Sequence, residues 1–409
     1  MIRNATQHSM ERRSHHHDYA RPGLYHITLK VAEGRGSILC TLIGDPMAAD
    51  GTPDAPRGLP SPIGAMVEEE LLHALPSHYP MVTIDTYTLM PDHLHALIKV
   101  TAPIVSKGGR STHLGQVIAG FKKGCNKHYW EIIGAGGGGT ASHTVAGGSP
   151  AGTHKVPSNA STGRPSLFAE GYCDVMPVDA EQLSTQRAYI LGNPRSRLLR
   201  MAHRDRLMAR RAAIPTTLTL SALTGYLRRE CAPSQATPEA LAAIAGQLLT
   251  RPAEPAATMC PPAPSAGMEI VCDSYGDRAL LERRLLPVVC HRKDKPRFAE
   301  QKGRCLEAAA AGAVLVSPRI AKGEQEILDE AVRHGFPVVL VEDNGFPDRY
   351  HPSAERLDRC AEGRLLLVTP WRYRYRPESE AITVAECKTM NCIAQALCRQ
   401  GDSWWKEKK

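Results

Sequence analysis

Residues 24–32, LYHITLKVA, alternate apolar and polar positions and are rich in β-formers, a pattern that predicts a strand. A loop rich in Pro, Gly and Asp follows, and GAMVEEELLHAL at 64–75 repeats with helical spacing. Residues 82–90 and 94–100 predict two strands joined across Met-Pro-Asp-His, a hairpin with His93 and His95 at its turn end. Over 112–133 the side chains of Leu114, Val117, Ile118, Phe121, Tyr129 and Ile132 form one helical stripe. Lys122, Lys123, Lys127 and His128 fall off that stripe, which predicts a basic solvent face. The stretch 134–166 is built from Gly, Ser, Thr, Ala and Pro and offers too little apolar area to order itself, so it reads as a flexible insertion. A short helix over 180–191 then carries Tyr189.

Beyond Pro215 the pattern gives a small helical segment, 218–229 and 238–249, followed by RPAEPAATMCPPAPSAG, whose prolines and small residues mark a domain boundary. From Met268 short apolar runs alternate with helical stretches. Strands are predicted at 286–290, 313–317, 337–342 and 365–369, and helices at 298–311, 324–334, 354–361 and 384–399. That rhythm predicts a parallel sheet between helices. The chain thus divides into an N-terminal arm (1–21), a first domain (22–211) with its insertion, a helical segment and linker (212–267), a second domain (268–400) and a tail (401–409).

Composition alters this picture little. The 409 residues suit two domains, no apolar run has membrane-spanning length, and no secretory pattern opens the chain, so a cytoplasmic protein is expected, with no membrane partner. The formal net charge of +8 favours an acidic partner, and its distribution matters more than its size. Eight arginines stand between Arg187 and Arg211 against Asp205 alone, the densest basic run in the chain. None of the 12 cysteines falls in a CxxC pair, so they read as reduced, mostly buried small hydrophobes. The run His15, His16, His17 reads as part of a polar arm and receives no role.

Two constellations carry chemistry. His93 and His95 are two apart on a strand, so their side chains leave one face and can converge on a cation. An isolated His-x-His equally describes two histidines decorating a strand. Tyr189 and Asn193 stand one helical turn apart, which brings a phenol and an amide oxygen to one place. The competing description is a packed tyrosine with Asn193 as a helix cap before Pro194.

The order LYHITLKVA, TLMPDHLHALIKV, FKKGCNKHYW, EGYCDV and AYILGNP resembles the REP-associated tyrosine transposases, relatives of the single-tyrosine HUH transposases of small insertion sequences. That family writes its first tract Met-Pro-Asn-His-hydrophobic-His and its second Tyr-Ile-x-x-Asn-Pro; here Asp92 replaces the commoner asparagine. The resemblance covers about residues 22–205. It implies a ferredoxin-like α+β fold, an antiparallel sheet with helices on one face. It also implies Tyr189 as nucleophile and His93, His95 and Asn193 as ligands of Mg2+ or Mn2+. The implied reaction is attack by the Tyr189 oxygen on a DNA phosphodiester. A 5′-phosphotyrosine forms, a 3′-hydroxyl is freed, and another strand's 3′-hydroxyl reverses the link. The implied substrate is single-stranded DNA near a hairpin, handled by a monomer or homodimer, with Lys122, Lys123, Lys127, Arg187, Arg195, Arg197 and Arg200 tracking the backbone. Tyr172, in EGYCDV, is the rival nucleophile, but it lies on a predicted strand with no amide one turn away. The wide separation of His93 from Tyr189 is explained by the insertion.

The second domain holds neither GxGxxG nor GxxxxGK[ST], so no glycine loop for phosphate is written there. Its tract VLVSPRIAKGEQEILDEAVRHGFPVVLVEDNGFPDRYHPS, with GRLLLVTPW and TMNCIAQAL, resembles the Rossmann-like domain of DNA-processing protein A, with Ser317-Pro318 where Ser-Gly is usual. A nucleotide or DNA site would lie near Ser317 and Asn344, at the carboxyl ends of strands. Two further readings stand beside the nuclease: a domesticated, non-catalytic DNA-binding or regulatory protein on the same fold, and a nucleotide-processing enzyme centred on the second domain.

Overall fold

The computed structural model describes residues 17–105, 109–135, 164–177, 179–216, 218–249, 269–347, 350–376 and 380–406. His15, His16, most of the N-terminal arm, most of the Gly-rich insertion and the Pro/Ala-rich linker lie outside the described residues. The chain is mixed α/β and divides into two compact units, residues 1–198 and 199–409. Among the described residues no helix is long and apolar enough to cross a membrane.

The first unit runs through β1 (Gly23–Lys30), a small hairpin of β2 (Cys40–Ile43) and β3 (Arg57–Pro60), and α1 (Pro62–Glu69). A π-helical turn at Glu70–Ala74 leads into α2 (Leu75–His78), then β4 (Val82–Met90), β5 (His93–Val100), α3 (Leu114–Ala135), β6 (Cys173–Val175) and α4 (Ala180–Ala202). Its main sheet is antiparallel throughout, in the order β4-β5-β1-β6. Alternation decides which face each residue serves. Tyr25, Ile27 and Leu29 of β1 and Leu94, Ala96 and Ile98 of β5 point to one side and bury completely with Val117, Ile118 and Phe121 of α3. Full burial of each such side chain contributes roughly 1.5–3 kcal/mol. The opposite side receives His26, Thr28 and Lys30 from β1, and in the β1/β5 pairing Thr28 stands against His95 and Lys30 against His93.

The predicted hairpin appears as β4 and β5. The predicted short helix does not stop at residue 191: α4 continues through Pro194 to Ala202. A proline inside a helix removes one donor, but its fixed φ is helical, so flanking residues can carry the helix past it. The two ends of the Gly-rich insertion are tied together. The Trp130 indole donates to the Pro165 carbonyl at 2.8 Å, the Leu167 amide to Asn126 Oδ1 at 2.8 Å, and the Arg164 guanidinium lies 5.6 Å from the Trp130 ring centroid.

The second unit contains β7 (Arg210–Pro215), α5 (Leu220–Glu230), α6 (Pro238–Leu249), β8 (Glu269–Gly276), β9 (Leu285–Pro287) and α7 (Phe298–Ala310). It continues through β10 (Val314–Ser317), α8 (Lys322–Arg333), β11 (Val338–Val341), α9 (Ala354–Ala361), β12 (Leu365–Thr369) and α10 (Val384–Cys398). The sheet, expected to be parallel, is mixed: β9, β10, β11 and β12 are parallel, while β8 and β7 add an antiparallel edge in the order β7-β8-β12-β11-β10-β9. Successive residues of β10, β11 and β12 enter two different cores, which is why these strands read as unbroken apolar runs. Val316, Val339 and Leu366 meet α5, α6 and α10, whereas Leu315, Leu340 and Leu367 meet α7, α8 and α9. Leu223, Leu227, Ile244 and Leu248 thereby place the helices predicted at 218–249 inside this unit's core rather than in a separate connecting segment.

Candidate active site

The site lies on the polar face of the antiparallel sheet. β5 presents His93 and His95 to that face, as their two-residue spacing requires, with ring centroids 4.8 Å apart and planes nearly perpendicular. Tyr189 arrives from α4. Its ring centroid is 5.5 Å from His95 and 6.0 Å from His26, and it is 46% exposed, open to an incoming substrate. Tyr172, the rival, is buried in the core against the sheet's other face. Asn193 stands one turn beyond Tyr189, where its Nδ2 donates to the Tyr189 carbonyl at 2.7 Å. The bond lies within α4, which runs on to Ala202, so it tethers the amide to its own helix rather than capping an end.

Both histidines are held by their Nδ1 atoms. His93 Nδ1 is 2.8 Å from Asp92 Oδ1, and Arg197 Nη1 lies 3.4 Å from the other oxygen of that carboxylate. His95 Nδ1 has two neighbours, each at 3.0 Å: His26 Nε2 and Thr28 Oγ1. Burial lowers all three imidazole pKa values, His95 to about 3 and His26 to about 4; for His93 burial outweighs the opposing pull of Asp92. At neutral pH these rings are uncharged, the form that donates a lone pair to a cation. For Asp92 burial pushes the carboxyl up, but the His93 hydrogen bond and the nearby positive charges prevail and hold it below its ordinary value.

This donor set suits a divalent ion in part. Two neutral imidazoles with their Nδ1 atoms occupied leave two Nε2 lone pairs, and Asn193 can add an amide oxygen. Among the described residues no group of three His, Cys, Asp or Glu is arranged to hold a metal, so a third ligand drawn from the described residues would be of another type.

The basic residues separate into two groups. Lys123 and Lys127 are exposed on α3, one turn apart. Lys122 is not a solvent-face residue: its ammonium bonds the Ala169 and Gly171 carbonyls and pins the segment leading to β6. Arg187 grips Asp85 through two bonds of 2.7 and 2.6 Å. Arg195 reaches the Ala48 carbonyl and Asp50, Arg197 reaches Asp92, and in the second unit Arg200 lies 2.9 Å from His351 Nδ1. The run that looks unopposed in sequence is therefore largely paired with carboxylates distant along the chain.

His26, Thr28 and the orienting role of Asp92 escape a reading of sequence. Alternation puts His26 and Thr28 on one face, but only the register of β1 against β5 brings them to His95. In the second unit the expected site near Ser317 and Asn344 is internally occupied. Ser317 is fully buried and accepts from the Arg319 amide; Asn344 clamps both backbone polar groups of Arg374. The buried Glu324 carboxylate accepts from the amides of Cys290, Ile320 and Ala321.

No known protein family matches the chain, and no curated protein does. It is similar to a solved structure of DNA processing protein A from Helicobacter pylori, described for that protein's single-stranded DNA binding, with 16% sequence identity and a TM-score of 0.23. The match covers 31% of this chain and 56% of that one, so the chain spans about half the length of that protein. A likeness at that score carries no argument about this site.

Proposed function

We propose that the first unit is a metal-dependent single-strand DNA endonuclease and strand transferase that uses Tyr189 as nucleophile. The observation that carries this reading is the convergence of a half-exposed tyrosine from α4 on a pair of neutral histidines from β5, with His95 5.5 Å from Tyr189 by ring centroid. A packed tyrosine would be covered, whereas Tyr189 is 46% exposed. The topology is consistent with it: counted within the main sheet, the strands lie in the order second, third, first, fourth, with α1 and α3 in the crossovers, the arrangement of a ferredoxin-like βαββαβ unit.

His93 and His95 would hold Mg2+ or Mn2+ through their Nε2 atoms, with the Asn193 amide oxygen as third ligand. A bound cation of this kind supplies Lewis-acid stabilisation of charge on a non-bridging phosphate oxygen. Tyr189 attacks phosphorus and its phenolic proton passes to solvent; the P–O bond to the 3′ oxygen breaks, that oxygen takes a proton from solvent to leave as a 3′-hydroxyl, and the 5′ phosphate stays on the tyrosine. The partly open ring leaves room for a strand, and His26 and His95 wall one side of it. Lys123 and Lys127 are exposed on α3, which packs on the sheet face opposite His93 and His95, so any contact they make with DNA lies away from the cleavage site.

The test incubates the protein and a labelled hairpin-flanked single strand with Mn2+ or Mg2+, followed by denaturing electrophoresis. A denaturation-resistant adduct that Tyr189→Phe abolishes is expected. No adduct with the intact chain, or an equal one with Tyr189→Phe, leaves the non-catalytic DNA-binding reading in its place.

A further inference from the structure

We infer that His26 is a positioning residue that keeps the hydrogen of His95 on Nδ1 and so leaves its Nε2 lone pair facing the site. The inference rests on the cation reading above and assigns a role to a residue outside the ligand set. A neutral imidazole carries one N–H and one lone pair, and the nitrogen that keeps the hydrogen cannot bind a cation. His95 is 5% exposed, so solvent does not decide between the two forms. Its Nδ1 faces His26 Nε2 and Thr28 Oγ1, both at 3.0 Å, and both can accept. With the hydrogen on Nδ1, the bond is shared between a ring nitrogen and a hydroxyl oxygen, and Nε2 is left bare. With the hydrogen on Nε2, an N–H points at the cation position and a lone pair at Nδ1 confronts the lone pair of His26 unless His26 also changes form.

His26 is suited to the task by its own burial. It is 7% exposed, its ring centroid lies 5.1 Å from that of His95, and it sits on β1, where strand pairing rather than a loop fixes its place. Thr28 alone is a weaker determinant, because a hydroxyl rotates to donate or accept as required. The two histidines of the pair are thus turned the same way by different means, His93 by the Asp92 carboxylate and His95 by a neutral imidazole. Partners that orient a ligand in this manner are typically worth 10–100-fold in metal affinity.

The test uses the full chain and two readouts. In metal-free protein labelled with 15N-histidine, long-range 1H–15N correlation at pH 7.5 should show His95 protonated at Nδ1 in the wild type and shifted toward Nε2–H in His26→Leu. Mn2+ titration followed by electron paramagnetic resonance should show His26→Leu binding about 10–100-fold more weakly. His26→Gln, whose amide oxygen restores an acceptor, should lie within about threefold of wild type, a rescue that loss of packing alone would not give. Wild-type His95 protonated at Nε2, or a folded His26→Leu protein with unchanged tautomer and Mn2+ affinity, overturns the inference. A wild type that binds no Mn2+ overturns the cation reading, and the tautomer comparison then decides whether His26 orients His95.

Discussion

Asp92 Oδ1 lies 2.8 Å from Nδ1 of His93, so the carboxylate at the turn before β5 orients the ring beside it. The same carboxylate has a charged partner in Arg197. Asp92→Asn retains an acceptor and loses the charge, and should weaken Mn2+ binding by a few-fold; Asp92→Ala should weaken it by about 10–100-fold. Titration of Mn2+ against wild type and both variants measures this, and equal affinities in all three would remove Asp92 from the site.

Excision of residues 136–163 and their replacement by a short Gly/Ser linker should leave the first unit folded, because Trp130, Asn126, Arg164 and Pro165 already hold the two ends together. Shortening a loop lowers its closure cost by only about 0.6 kcal/mol for each halving, so the melting temperature should stay equal or rise slightly. Circular dichroism melts decide the matter, and a loss of several degrees would mean the segment contributes contacts.

A side chain at position 64 should be poorly tolerated. A Cβ on Gly64 would overlap the Leu39 carbonyl oxygen and press on Leu89, where α1 begins against the chain preceding the small hairpin. Backbone must move to admit it, so Gly64→Ala should destabilise the first unit by about 2–4 kcal/mol, measured by denaturant unfolding. A change within 0.5 kcal/mol would contradict the close approach.

In the second unit His291 Nε2 is 2.6 Å from Asp402 Oδ2. That hydrogen bond, ahead of the opposing effect of burial, raises the His291 pKa, and the same bond lowers that of Asp402. The histidine's contribution is complete below its unfolded pKa of about 6.5 and is lost as pH rises through the higher folded value. The aspartate's contribution is complete above about 3.9 and is lost as pH falls through the lower folded value. Stability from the pair is therefore greatest between about pH 4 and 6.5. His291→Gln should cost on the order of 1–3 kcal/mol near pH 6 and less near pH 9. Melting curves across that range should converge toward alkaline pH; a constant difference would rule out the charged pair.

Glu324 fills the turn between β10 and α8 with its own carboxylate, bonded to three backbone amides. Removing it leaves buried donors without an acceptor, so Glu324→Ala should lose about 2–4 kcal/mol, and millimolar inorganic phosphate or sulfate should restore part of the loss. The wild type should show no such response. Anion stabilisation of the wild type equal to that of the variant would show that the carboxylate does not occupy this place.

The local parts of this molecule were legible in its residues. Strand β4 and the His93/His95 pair follow from period-two alternation, and the buried strands β10, β11 and β12 from short apolar runs. What escaped depends on distant pairing. Strand β7 hides in an arginine-rich stretch, because its partner β8 lies beyond α5, α6 and the Pro/Ala-rich segment. The continuation of α4 past Pro194 contradicts a local stop signal. The arginines from Arg187 to Arg197 looked unopposed because Asp85, Asp50 and Asp92 approach them only through the fold. The same holds for His26, whose meaning appears once β1 lies beside β5.

Strand β1 alternates between two duties: Tyr25, Ile27 and Leu29 seal the interior, while His26, Thr28 and Lys30 furnish the opposite surface. A slip of one residue against β5 would exchange the two sets at a stroke. Insertions or deletions within this strand therefore disturb both faces at once rather than one by degrees. Molecules that pair out of step would lose their hydrophobic seal and their histidine alignment in the same event, so calorimetry and the histidine ring signals should report the same misfolded fraction.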